Sequence, residues 1–131
     1  MWRLRKNKMK KLLLMATMLL MFGAANAQIS ELRKTSSGAE LYHIYDDNGN
    51  KTNYYVSLSY GQGLMGHNSK YIIIRDNSIY KIFDSKGQNT GNYVGLSYGE
   101  EFIKISESSI MIKSNGMTKH YDFTGKYLRS N

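Results

Sequence analysis

The chain has 131 residues, with 18 Lys and Arg against 10 Asp and Glu, and it contains neither cysteine nor proline. Six of the basic residues and none of the acidic ones fall in residues 1–27, so residues 28–131 keep a net charge of only +2 in interspersed charges. That excludes a basic stripe for nucleic acid, and the missing cysteines exclude disulfide staples, so one domain must stand on apolar burial and strand pairing.

Residues 1–27 read as an export signal. Arg3, Arg5, Lys6, Lys8, Lys10 and Lys11 form a basic start, Leu12 to Phe22 an apolar run, and Ala25-Asn26-Ala27 the small-residue ending that a signal peptidase cuts. The apolar run is short of the ~20 residues a spanning helix needs, so contact with a membrane is expected only during export. Cleavage after Ala27 places Gln28 first and the protein in the periplasm or outside the cell; Met9 offers a second translation start. With no cysteine at the cut, no lipid can be attached there.

Residues 28–40 precede the patterned part of the chain and are expected to add an edge strand at Ile29 to Lys34 or to lie loose. From Tyr42 a block is written twice. Tyr42-His-Ile-Tyr-Asp46, Gly49, Tyr55-Val56 and Leu58-Ser-Tyr-Gly61 return 38 residues later as Tyr80-Lys-Ile-Phe-Asp84, Gly87, Tyr93-Val94 and Leu96-Ser-Tyr-Gly99. Tyr121-Asp122 and Gly125 begin a third copy, giving units 42–79, 80–117 and a partial 118–131 within a β-repeat domain 41–131. Each copy alternates short β-prone runs with Asn, Asp and Gly turns, and nothing holds helical apolar spacing.

Leu41 to Asp46 and Lys51 to Leu58 are predicted to pair around Asp47-Asn48-Gly49-Asn50. Ser85-Lys86-Gly87 and Thr124-Gly125-Lys126 repeat that turn, and the two Ser-Tyr-Gly segments mark a second bend. A weaker strand at Leu64 to His67 leads to a strong one at Lys70 to Arg75, matched by Ser109 to Lys113. These two are apolar on both faces and expected to be central. The fold class is therefore all-β, a single antiparallel meander of ~10 short strands closed as a barrel or folded as a two-sheet sandwich. Four strands per unit also match a propeller blade, though propellers use at least ~4 blades. The expected inner face is Ile44, Val56, Leu58, Ile72, Ile74, Ile82, Val94, Leu96, Ile110 and Ile112.

Chemistry is sparse. His43, His67 and His120 are far apart in sequence and lack a cysteine co-ligand, so they read as strand histidines, with neither metal nor catalytic role assigned. Asp46-x-Asn48-x-Asn50 starts like a calcium loop, but Lys51 replaces the required Gly and Ser57 the closing acid. Asp46, Asp84 and Asp122 are dispersed by the repeat, and adjacent Glu100 and Glu101 point to opposite faces of a strand, so no pair of carboxylates suits a hydrolase. Gly61-x-Gly63-x-x-Gly66 lacks the following helix and acidic partner of a dinucleotide site and reads as a bend; no cofactor is expected.

The tyrosines remain. Tyr45, Tyr55, Tyr60, Tyr80, Tyr93 and Tyr98 recur across the copies and form the candidate binding surface, set against ordinary sheet packing. The hairpin Tyr80-Lys-Ile-Phe-Asp84-Ser-Lys-Gly87, continued to Thr90-Gly91-Asn92-Tyr93, resembles the aromatic β-hairpin repeats of cell-wall-binding and Tyr-Asp repeat proteins. Those wall-binding repeats are shorter and build ligand cages from tryptophan, which residues 28–131 lack, so the resemblance implies the hairpin and no ligand. The Ala-Asn-Ala-Gln28 cleavage context before a Tyr-rich β chain resembles small exported β-repeat proteins of Gram-negative anaerobes, a domain of unknown function, and implies a location only. The expectation is a non-enzymatic binding module for a protein or glycan at the envelope. A structural envelope component assembling through a strand edge and a small secreted hydrolase are the alternatives.

Overall fold

Asn, Asp and Gly punctuation at intervals of a few residues leaves room only for short strands, and short strands are what form. The computed structural model describes residues 28–35 and 40–131; the export signal lies outside the described residues. A first sheet holds β1 (Glu31–Lys34), β2 (Leu41–Tyr45) and β3 (Lys51–Ser57). The central sheet holds β4 (Gln62–His67), β5 (Tyr71–Asp76), β6 (Ile79–Asp84) and β7 (Asn89–Gly95). The third holds β8 (Glu101–Ile105), β9 (Ile110–Ser114), β10 (Met117–Tyr121) and β11 (Tyr127–Ser130). Every pairing is antiparallel between consecutive strands. The all-β meander is as expected. The closed barrel is not: each sheet is open, and the sandwich has three layers instead of two.

Turn chemistry explains the hairpins. Asp46, Asp84 and Asp122 each accept, through Oδ1, the N–H groups two and four residues on, at 2.9–3.0 Å. Gly49, Gly87 and Gly125 close these turns with φ of 76°, 74° and 84°, a region L residues avoid. In β3 and β7 a bulge follows, fixed by Thr52 Oγ1 and Thr90 Oγ1, which donate to the carbonyls of Ile44 and Ile82 at 2.7 Å. Such bulges twist a strand and help the sheets lie across one another.

The central sheet is covered on both faces because β5 is apolar on both. Ile72 and Ile74 point to the first sheet and pack with Ile29, Ile44, Val56 and Leu58. Ile73, which alternates to the other side, packs with Tyr80, Ile82, Val94, Ile110 and Ile112 against the third sheet. The expected inner residues are buried, except that Leu96 is only partly so; Ile29, Ile73 and Tyr80 join them. Tyr80 is 2 % exposed, because its strand faces the third sheet at that position, and so it cannot belong to a binding surface.

The sheets also meet at their turns. A Cβ on Gly87 would run into the Tyr55 carbonyl of β3, and one on Gly125 into the Tyr93 carbonyl of β7. On the adjoining side β4 contacts β8, with Gly66 lying against Ile105. Corners 38 residues apart bond to each other: Asn68 Nδ2 donates to the Ser106 carbonyl at 3.0 Å, and the Ser69 N–H to the Glu107 carboxylate at 3.0 Å.

Both outer faces of the stack are polar where the inner faces are apolar. Glu31 pairs with Tyr45 and Arg33 with His43, the places that Ile72 and Ile74 take opposite Phe83 and Lys81. Glu31 and Arg33 form an ion pair at 3.0 Å, and the Arg33 guanidinium lies 4.1 Å from the centre of the Tyr45 ring. On the third sheet Thr118 and His120 stand 38 residues beyond Tyr80 and Ile82. Terminal units of a stacked array need such polar outer faces to stay apart.

Two outcomes are expected from this packing. G49A carries only the left-handed backbone penalty, about 1–2 kcal/mol, whereas G87A and G125A add a clash with a neighbouring sheet and lower the urea midpoint by more. Restoring the inner-sheet residue at the ends, with E31I and R33I combined with T118I and H120I, turns a monomer into concentration-dependent oligomers in sedimentation velocity.

Candidate functional site

The bends between sheets carry the most exposed aromatic rings. In Ser59-Tyr60-Gly61-Gln62 and Ser97-Tyr98-Gly99-Glu100 the fourth residue's N–H donates to the first residue's carbonyl at 3.1 Å. Gly61 and Gly99 supply φ of 84° and 83° at the third position, the requirement of a type II turn. The fourth side chain reaches back: Gln62 Oε1 accepts from the Ser59 N–H, and Glu100 Oε1 from the Ser97 N–H, both at 2.8 Å. Each bend is thus pinned twice around its tyrosine.

Ion pairs anchor the pins to the sheet. Gln62 Nε2 donates to Asp76 at 3.1 Å, and Lys81 Nζ stands 2.7 Å from the same carboxylate. In the other bend Lys119 Nζ donates to Glu100 Oε2 at 2.8 Å, with the Glu100 side chain only 4 % exposed. Lys119, followed by the Ser97 N–H, holds the Glu100 carboxyl down to about 2 against the opposing effect of burial. Lys81 and then Gln62 lower that of Asp76. These carboxylates are engaged in holding the backbone and have no lone pair turned to a substrate.

At the tips of the pinned bends Tyr60 and Tyr98 are both 107 % exposed, as open as in a short peptide. Tyr55 and Tyr93, opposite His43 and Lys81, are roughly half exposed at 52 % and 56 %. Tyr55 has the edge of its ring toward His43 at 6.4 Å between centroids. Tyr45 is half-buried beneath Arg33. Of the six tyrosines singled out in the sequence, the fold therefore puts two on bends, two on outer strands, one under a cation and one in the core. They are not one continuous row. Sequence reading missed the pins Gln62 and Glu100, although both stand three residues after the serine of a Ser-Tyr-Gly segment.

The other candidates serve the fold. His43 lies against Tyr55, His67 Nδ1 is 3.0 Å from the Asn68 carbonyl, and the three turn aspartates cap their own hairpins. Among the described residues no three His, Cys, Asp or Glu side chains converge as metal ligands. Ser109 Oγ, His120 and Asn131 form a chain through Nδ1 at 3.0 Å and Nε2 at 2.9 Å, the order of a nucleophile, a base and an orienting amide. Ser109 is 1 % and His120 5 % exposed, so no acyl group can approach the hydroxyl. The chain instead satisfies polar groups on the outer face of the third sheet.

Glu100→Gln tests the pinned bend, since Gln62 already fills the equivalent role. The variant keeps the contact with Ser97, loses the ion pair with Lys119, and is expected to be less stable at pH 7 by about 1–3 kcal/mol. Because the folded-state pKa is lowered, the carboxylate's contribution is complete above the unfolded glutamate value and is lost as pH falls toward about 2. Melting temperatures of the two proteins should therefore converge through that window.

No protein-family model, no curated protein and no solved structure matches this chain.

Proposed function

We propose that the chain is an exported, non-enzymatic binding module whose partner is a protein or glycan at the cell envelope or outside it, reached after cleavage behind Ala27. The observation that carries this reading is the pair Tyr60 and Tyr98, each wholly exposed on a bend held rigid by hydrogen bonds. Leaving two large rings in water forgoes apolar burial worth roughly 1.5–3 kcal/mol each. A rigid turn also removes most of the ordering cost a partner would otherwise meet. The rest of the fold spends its tyrosines differently, with Tyr80 in the core and Tyr71 stacked on Phe123 at 4.6 Å between centroids.

The polar outer faces and the charged edge strand β1, with Glu31, Arg33 and Lys34, argue against the alternative of an assembly component that grows through its edges. The buried Ser109 argues against a hydrolase.

The test is retention of the tag-free protein on envelope fractions and on a glycan array at micromolar concentration. Y60A and Y98A are each expected to weaken retention at least tenfold, the effect of losing an aromatic anchor. Their melting temperatures should not move, because neither ring has a packing partner to lose. Absence of any retained partner would sink the reading.

A further inference from the structure

The meander puts alternate connections at one end of the stack. The Leu58 N–H donates to the Glu40 carbonyl at 2.8 Å and the Leu96 N–H to the Ser78 carbonyl at 2.8 Å, which ties the long bends to the tight turns beside them. Gln62 and Asp76 join the ends of β4 and β5 in the same region. The described connections gathered there are the two bends, 59–61 and 97–99, and the two hairpin turns, 77–78 and 115–116. Those segments contain tyrosine, serine, glycine and asparagine and no other residue type, and every one of their residues is exposed.

The opposite end differs. Its turns carry Asp46, Asp47, Lys86, Glu107 and Lys126. At the first end the nearby charges are taken up internally, in the pairs Lys34 with Glu40 at 2.9 Å, Lys81 with Asp76 and Lys119 with Glu100. The turn backbones are also set, with φ of 56° at Asn77 and 52° at Asn115 followed by 79° at Gly116.

A neutral surface of tyrosine, serine, glycine and asparagine on rigidly seated loops has the composition of antibody paratopes. There tyrosine supplies large amphipathic contacts with few rotatable bonds, and the small polar residues adapt their hydrogen bonds to a protein surface. We propose that this end of the stack is a protein-recognition face, on which Tyr60 and Tyr98 insert as two anchors into pockets of a folded partner. The inference rests on the binding reading above and narrows its partner to protein. The rings favour a protein over a glycan. A ring that holds a sugar lies against its own domain with one face presented and fixed polar side chains beside it, whereas Tyr60 and Tyr98 have both faces free. The carboxylates nearest them are already bonded to lysines. A ring free on both faces gains most by entering a cleft, where its edge and faces are desolvated together and the hydroxyl meets an acceptor. Such a small face stays below the ~800 Å² per partner of a standard complex, so a roughly micromolar affinity is expected.

The experiment uses immobilised exported protein and a detergent-solubilised envelope fraction divided in three: untreated, protease-digested, and glycosidase-digested. Four proteins are compared: wild type, Y60A, the Y60A and Y98A double variant, and a K86A and K126A control altered at the opposite end. Expected is binding that survives glycosidase, disappears after protease, drops at least tenfold in Y60A and further in the double variant, and is unchanged in the control. Protease-resistant binding that glycosidase abolishes overturns the protein assignment while leaving the binding module in place. Protease-sensitive binding indifferent to both tyrosines, or lost in the control, overturns the assignment of the face. No binding to any of the three fractions overturns the binding module as well. Unchanged melting temperatures across the four proteins show that each comparison is between folded molecules.

Discussion

Close approach between a turn of one sheet and a strand of the next is the constraint on which the architecture depends. Gly87 and Gly125 sit where the carbonyls of Tyr55 and Tyr93 leave no space for a side chain, and their left-handed backbone angles are those the hairpin demands in any case. One glycine therefore meets two requirements, a local turn and a contact with a neighbouring layer. Gly49 has the same turn and nothing beside it, because no layer lies beyond the first sheet among the described residues. The seated turns let β5 be apolar on both sides, since each side then meets a sheet.

A stack of like layers has the problem of stopping. Here the ends differ from the middle by substitution at a few positions: Glu31 and Arg33 occupy places that are isoleucine in the central sheet, and Thr118 and His120 occupy those of Tyr80 and Ile82. His120 remains buried and is tolerated because Ser109 and Asn131 satisfy both ring nitrogens. His67 stands 38 residues before Ile105, at the edge where the first sheet has three strands and the others four. Polar groups thus appear wherever the next layer would have been.

The two ends of the strands are specialised in a different sense. One carries charged turns whose aspartates cap their own backbones, while the other is neutral and holds its charges in internal ion pairs. Glu100 shows the device most plainly: its carboxylate is buried so that Tyr98 can be presented on a backbone that does not move away from its partner. Gln62 performs the same service for Tyr60 without a charge of its own, borrowing that of Asp76.

The alternation of β-prone runs with Asp-x-x-Gly and Ser-Tyr-Gly segments was enough, by itself, to determine the all-β class, the antiparallel order, the hairpins and most of the core, since turn geometry and strand pairing depend on neighbours in the chain. Closure was not legible, because whether four strands roll into a barrel or open into layers depends on which surface Ile72 and Ile73 meet on either side. Nor was the fate of each tyrosine: Tyr80 and Tyr60 look alike in the chain, yet one enters the core and the other is bare. Only the tertiary structure decided that, since a side chain's exposure is set by the layer opposite it and not by the residues beside it.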